Sequence, residues 1–226
     1  MSPLRLIVLG TDTDVGKTWV TTALARGLRG LDRRVWLHKP VACGDWDGVS
    51  TADGRSLRAL CGDGQDPATV CPREFPEACS PHLAAEAVGV RVTLSDLLAA
   101  VPRPPNASDV ILETAGGLLA PITHDRLSNA DLAVALGWPA ILVTRPHLGT
   151  LNHTQLTVHE ASRRGLRLLG LVINHHTPMA PSVATRTAAA ELTTLTRLPV
   201  LIESQHGADP ATALAAAVLA AHTQPS

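Results

Sequence analysis

The chain contains no tyrosine and one phenylalanine, and aromatic residues of all kinds make up 2% of it. Its core must therefore be built from Leu, Val, Ile and Ala. Lysine is almost as scarce: of 19 basic residues only Lys17 and Lys39 are lysines, and the rest are arginines. An ammonium is a compact point charge and a guanidinium a planar fork, so the two do not replace each other at a tight phosphate site. Chance alone can leave two lysines, but both fall inside motifs described below. Neither sign of charge dominates. The formal net charge is -1, which offers no electrostatic footprint for a nucleic acid or an anionic membrane. Long apolar runs are missing too; stretches such as Leu4 to Leu9 and Pro139 to Val143 are far too short to span a bilayer. Near the N-terminus one arginine leads straight into a strand-like run and a glycine-rich loop, without a signal-peptide pattern. The four cysteines, Cys43, Cys61, Cys71 and Cys79, lack zinc-finger spacing, and reduced thiols are the simplest reading. The expectation is a cytoplasmic protein with no nucleic-acid and no membrane partner.

What is present is an alternation of short apolar runs and helical patterns. With 226 residues, 45% of them hydrophobic and no Gly/Ser-rich or charge-rich linker, residues 1–226 are expected to form a single domain around one sizeable core. Buried strands are predicted at Leu6–Leu9, Val35–Leu37, Val110–Leu112, Ala140–Val143, Leu169–Ile173 and Val200–Ile202. Helices are predicted at Lys17–Leu28, after the cap Thr93 with Asp96 three residues on, and near Ala130–Leu136, Asn152–Arg164, Val183–Thr196 and Pro210–Ala221. Near-continuous apolar strands separated by helices give an α/β fold with a mostly parallel central sheet and helices on both faces. Ligands in such sheets bind beyond the carboxyl ends of the strands. The segment from Asp45 to Pro81 is rich in Gly, Asp and Pro and reads as irregular; a loop of that length is usually functional or disordered.

The first strand ends in Gly10-Thr11-Asp12-Thr13-Asp14-Val15-Gly16-Lys17-Thr18. Between a buried strand and a helix, this is a phosphate-binding P-loop whose backbone N–H groups face an anion. Five residues separate the two glycines, one more than the usual pattern. Asp14, Val15, Gly16, Lys17, Thr18 and Trp19 are expected to hold the nucleotide, with Lys17 on the β- and γ-phosphates and the Thr18 hydroxyl on Mg2+. An ordinary strand–turn–helix corner would explain the glycines but not the lysine. ATP is the expected nucleotide. No Asn-Lys-x-Asp segment follows a strand; Asn174, in Asn174-His175-His176-Thr177, is expected to read adenine. Positions 11 to 15 hold no lysine, which counts against the partition-type ATPases.

Val110-Ile111-Leu112-Glu113 is a strand ending in a carboxylate, a Walker-B arrangement for Mg2+, and Thr114-Ala115-Gly116-Gly117 follows. Small residues there let backbone amides approach a transferring phosphoryl group, Gly116 on the nucleotide side and Gly117 on the substrate side. The second strand runs into His38-Lys39-Pro40-Val41-Ala42-Cys43-Gly44. If it lies beside the first strand, Lys39 arrives next to the phosphates, and two lysines suit a transition state with charge spread over phosphoryl oxygens. The bland alternatives are a solvated strand end for Glu113 and a surface lysine for Lys39; His38 is more readily a packed side chain than a catalyst. Asp53 is a candidate second Mg2+ ligand, with Asp45 and Asp47 as rivals.

These motifs, with Ser80-Pro81-His82 and Leu148-Gly149-Thr150-Leu151-Asn152-His153, resemble the dethiobiotin synthetases in the same order, over about residues 6 to 175. The elongated P-loop is itself a trait of that family. The resemblance implies a cytoplasmic homodimer that closes a ureido ring on 7,8-diaminopelargonate, using CO2 or bicarbonate, ATP and Mg2+. It implies that Thr13, with Lys17 and Lys39, acts at the reacting end and that Cys43 contacts substrate. Gly149, Thr150, Leu151 and Asn152 would open a helix that receives the substrate carboxylate held by the opposite subunit, so that the active sites are shared. A plain N-cap is the alternative role of Asn152. The chain departs from the family at Cys43, where Ser or Thr is usual, and at Leu201–Gln205, where a Gly-x-Ile-Pro segment is common. Its region 45–80 does not align clearly. Another P-loop ligase or kinase, or an ATP-dependent switch that turns over slowly, remain the competing classes.

Overall fold

The computed structural model describes residues 2–104, 108–175 and 182–223. Strand β1 (Arg5–Gly10) runs into helix α1 (Lys17–Arg29). Then come β2 (Val35–His38), the two-residue β3 (Ala42–Cys43), α2 (Ala52–Arg58), β4 (Glu74–Phe75), α3 (Pro81–Ala87) and α4 (Leu94–Ala99). The second half alternates regularly: β5 (Asp109–Glu113), α5 (Asn129–Leu136), β6 (Ala140–Thr144), α6 (Thr150–Arg163), β7 (Leu168–Asn174), α7 (Val183–Thr196), β8 (Val200–Ser204) and α8 (Ala211–Thr223). Each of the six predicted strands is present, and they form one sheet in the order β2-β5-β1-β6-β7-β8. Every neighbouring pair in it is parallel.

Alternation along these strands splits the core in two. Ile7 and Leu9 of β1, Leu112 of β5 and Leu142 of β6 point to one face, where they meet Leu97, Leu132, Val158 and Leu192 of the covering helices. Leu6 and Val8 of β1 and Ile111, Ile141 and Val143 of the neighbouring strands point to the other, onto Leu24 of α1, Leu57 of α2 and Leu214 of α8. With period-two side chains, this is how a strand that reads as continuously apolar buries both faces. Helices α1 and α8 pack tightly at Gly27, where any Cβ would run into the Ala211 carbonyl.

Two expectations need correction. The second strand does not lie beside the first: β5 is inserted between them. Strand order is set by long-range pairing, to which local apolar runs are blind. The segment 45–80 is not a structureless loop either. It holds α2, a 3-10 turn at Pro67–Thr69 and β4, which pairs with β3 just before the segment. Part of it caps the exposed edge of β2. Gln65 accepts from Leu37 N at 2.9 Å and donates to Leu37 O at 2.6 Å, so its side-chain amide replaces a missing strand. Lys39 N donates to Val70 O at 2.7 Å just beyond. An unprotected edge strand would otherwise template pairing with another chain.

Candidate functional site

The site lies on the carboxyl edge of the sheet, and strand register builds it. His38 is opposite Leu112 in the β2–β5 pair, so the next residues, Lys39 and Glu113, come side by side. Val8 is opposite Glu113 in the β1–β5 pair, so β1 continues two residues past Glu113 and its loop overhangs the carboxylate. Lys39 thus reaches the phosphate loop through β5 rather than from a strand adjacent to β1.

The loop curls over Gly10, where a Cβ would sit 2.9 Å from Lys17 Cδ and 3.0 Å from Nζ. Only glycine leaves room for that side chain to fold back. Lys17 Nζ donates to Asp12 O at 2.9 Å, and Asp12 Oδ1 in turn accepts from Thr13 N at 2.7 Å. Gly16, left-handed at φ 86°, caps α1 without a side-chain hydrogen bond to its first N–H groups, the usual design of an anion-receiving helix start. Gly117 abuts the loop from the other side. A Cβ there would be 3.2 Å from Thr11 O and 3.4 Å from Asp12 Cα.

Beneath the loop four polar side chains meet. Thr18 Oγ1 lies 2.7 Å from Asp53 Oδ1 and 2.6 Å from Glu113 Oε1. Lys39 Nζ donates to Glu113 Oε1 at 2.7 Å and also to Asp53 Oδ2. One hydroxyl hydrogen cannot serve two carboxylates, and Glu113 Oε2 is buried with no hydrogen-bond partner among the described residues. The oxygen set therefore has spare capacity for a cation. Its chemistry, one hydroxyl and two carboxylates, is that of a hard divalent ion. Among the described residues no group of three or more His, Cys, Asp or Glu side chains forms a metal cluster. Mg2+ needs no such cluster, because it keeps several waters and takes one or two carboxylates.

Burial shapes the charges. Desolvation first, then the neighbouring Lys39 ammonium, lowers the pKa of Lys17 to about 8. Burial also works against charge on Lys39, but Glu113 and Asp53 outweigh it and hold its pKa above the ordinary value. Burial would raise Asp53; Lys39 reverses this and keeps it below the usual carboxylate range. His38 is fully buried with Nδ1 2.8 Å from Thr69 O. Burial lowers its pKa to about 4, so it is a packed neutral residue.

A cleft of about 630 Å³ opens over this cluster, a volume suited to a small-molecule site. Thr13, Asp14, Gly16, Lys17 and Thr18 line it from the loop side, and Lys39, Cys43, Asp53, Glu113 and Gly116 from the opposite side. Asp53 enters on the first turn of α2, which is capped by Thr51 accepting from Gly54 N at 3.1 Å. Of its rivals, Asp45 lines the cleft, whereas Asp47 pairs with Arg55 at 2.7 Å. Burial first, then the nearby Cys79, pushes the Cys43 thiol up to about 12, so it is a neutral group there.

The remaining expected residues lie elsewhere. Val15 turns its side chain into the core, and its carbonyl accepts from Asn174 Nδ2 at 3.0 Å. Asn174 therefore grips the phosphate loop from the end of β7. His176 and Thr177 beyond it lie outside the described residues. Trp19 lines a second cavity of about 460 Å³ with Gln205, His206 and Gly207. Gly149, Thr150, Leu151 and Asn152 do not line the main cleft. They begin α6, but the cap is Gly149 at φ 95°, so Asn152 sits inside the first turn and is not the N-cap. Sequence reasoning missed Asn129, whose amide donates to Ala115 O at 2.6 Å and Gly117 O at 2.8 Å. It fixes the paired-glycine loop, and its only sequence signal was its place after Ser128 at the start of a helix.

A strand–loop–helix phosphate site, a strand-end carboxylate and a parallel sheet wound on both faces define a P-loop nucleotide-binding protein. A family model described as an AAA domain matches residues 5–207. A solved ParA family ATPase from Chlorobium tepidum shares the fold at TM-score 0.50 and 12% identity, over 99% of this chain and 93% of that one. Curated relatives are more specific. An ATP-dependent dethiobiotin synthetase of Anaeromyxobacter dehalogenans is 42% identical over 84% of this chain and 85% of its own. One from Ralstonia nicotianae is 40% identical over 76% and 77%. The chain belongs to the family of ATP-dependent dethiobiotin synthetases. Among the described residues no helix is long and apolar enough to cross a membrane.

Proposed function

We propose that this protein makes dethiobiotin from 7,8-diaminopelargonate, CO2 and ATP, releasing ADP and phosphate. The observation that carries the reading is the meeting of Lys17, Lys39, Thr18, Asp53 and Glu113 under one cleft. One substrate amine adds to CO2 and loses a proton to give a carbamate. The carbamate oxygen takes the γ-phosphoryl group of ATP and ADP leaves. The second amine attacks the mixed anhydride carbon and phosphate departs, closing the ureido ring. The substrate supplies both nucleophiles, so the chain needs no nucleophilic side chain. Lys17 and Lys39 stabilise anionic carbamate and phosphoryl oxygens in a site of low dielectric, where fixed charge is most effective. Thr18, Asp53 and Glu113 would hold Mg2+, which when bound neutralises charge on the phosphates. Thr13, beside Gly116, and Cys43 line the same cleft and would meet the substrate.

The far carboxylate of the substrate is received at Gly149–Asn152, where the start of α6 has no side-chain cap and its N–H groups favour an anion. That segment does not line the cleft of its own chain, which supports a homodimer in which the nine-carbon substrate bridges two subunits. Its methylenes contribute about 0.8 kcal/mol each when buried. The test is incubation with ATP, Mg2+, labelled bicarbonate and diaminopelargonate. Label in dethiobiotin is expected; a phosphorylated product formed without bicarbonate would make the protein a kinase instead. Mixing Lys39→Ala with Asn152→Ala subunits should restore activity if sites are shared, and no recovery after confirmed exchange would place each site in one chain.

A further inference from the structure

Thr144, the last residue of β6, is 1% exposed and lies in none of the motifs read from the sequence. Its hydroxyl has three neighbours: Thr11 Oγ1 at 3.3 Å, Thr150 Oγ1 at 3.0 Å and Thr154 Oγ1 at 3.0 Å. Thr11 is the first residue after β1, where the phosphate loop begins, and its N–H also donates to Val143 O at 3.0 Å. Thr150 and Thr154 are stacked on one face of the first turns of α6, 2% and 0% exposed. The phosphate loop and the start of α6, far apart in sequence, therefore meet on a single oxygen.

A hydroxyl offers one hydrogen and two lone pairs. Three contacts use that capacity completely. Thr11 donates to Thr144, Thr144 donates to one of the α6 threonines, and the other donates to Thr144. The chain of bonds has a direction, and each bond polarises the next. Burying hydroxyls is unfavourable unless they are bonded, and valine would fill the same space without that cost. Three buried threonines where valines would pack, bonded to a fourth in the phosphate loop, are a reason to look for a role beyond filling the core.

We propose that Thr144 is a positioning residue that couples the phosphate loop to the first turn of α6. When nucleotide fixes the loop, Thr11 is held, the Thr144 hydroxyl is fixed with it, and the N-terminal turn of α6 is ordered. Because coupling is reciprocal, an anion held at that turn would tighten nucleotide binding. The proposal rests on the P-loop binding nucleotide. It does not require that the product be dethiobiotin.

The test is amide hydrogen exchange over residues 150–154 in the full chain, with and without a saturating non-hydrolysable ATP analogue and Mg2+. Calorimetry establishes saturation for each protein. In the parent, nucleotide should slow exchange there by a factor on the order of five or more. Thr144→Val keeps the shape and removes the hydroxyl, so the nucleotide-dependent change should vanish. Thr144→Ser keeps the hydroxyl and should retain it. Thr154→Val, which removes one contact of three, gives an intermediate loss and serves if Thr144→Val does not fold. An unaltered response in Thr144→Val, no response in the parent, or equal loss in the Val and Ser variants would overturn the proposal. Failure of the parent to bind nucleotide would overturn both this and the functional reading. Nucleotide binding without dethiobiotin formation would remove the functional reading alone.

Discussion

Strand β5 carries a buried carboxylate at each end, and the two are finished differently. At the start, Asp109 accepts from Leu4 N at 2.7 Å and from both Arg33 Nε and a terminal Arg33 nitrogen at 2.6 Å. Both of its oxygens are satisfied by protein. At the other end, Glu113 shares Oε1 between Thr18 and Lys39, while Oε2 is buried and accepts no hydrogen bond from the described residues. The strand is the same and so is the burial, but one carboxylate is closed and the other is left with capacity. A saturated buried ion pair is a clasp that ties β1, β2 and β5 together. An under-coordinated one, beside a phosphate loop and two lysines, is the arrangement expected where a ligand completes the set.

The comparison can be broken first at the closed end. Arg33→Met leaves Asp109 buried without its cation, which costs about 3–5 kcal/mol. Chemical denaturation should show that loss, while the molecules that remain folded keep their specific activity. Loss of activity per folded molecule would mean that the clasp also serves the site.

At the open end the largest effect is kinetic. Lys17→Ala and Lys39→Ala should each lower turnover by a factor on the order of a hundred or more, with the fold retained. Near-normal turnover in either variant removes that lysine from the mechanism.

A smaller effect sharpens the contrast through pH. The pKa of Lys17 is lowered from 10.5 to about 8, by burial first and by Lys39 second. Between those two values the unfolded chain binds the extra proton, so this group makes stability rise with pH across the window. Over the same window the folded protein loses the charge that meets phosphate, so nucleotide affinity should fall. Calorimetry and denaturation across about pH 7.5 to 10 should give trends of opposite sign, and Lys17→Met should flatten both. Parallel trends would show that Lys17 is not the titrating group.

The alternation of β1, α1 and the later strand–helix pairs was legible because strong periodicity and caps are local. Thr93 with Asp96 forms the expected capping box, and α7 spans Val183–Thr196 as predicted. The phosphate loop and Glu113 were legible for the same reason: a loop between strand and helix and a carboxylate at a strand end are local patterns. The insertion of β5 between β1 and β2 was not, because neighbours in a parallel sheet are chosen by crossovers. Helix α2 was missed because it has seven residues and buries only Gly54 and Leu57, too few for a period to register. The threonine hub was invisible because Thr11, Thr144, Thr150 and Thr154 are unremarkable singly and meet only when the strands align.

The most direct measurement is a Mg2+ titration of nucleotide affinity in the parent, Glu113→Gln and Asp109→Asn proteins, each at a temperature where it is folded. The account predicts that Glu113→Gln weakens the Mg2+ dependence by about tenfold or more. Asp109→Asn should lose stability yet keep the dependence of the parent. An unchanged Mg2+ response in Glu113→Gln, or its loss in Asp109→Asn, would contradict the division between the closed and the open carboxylate.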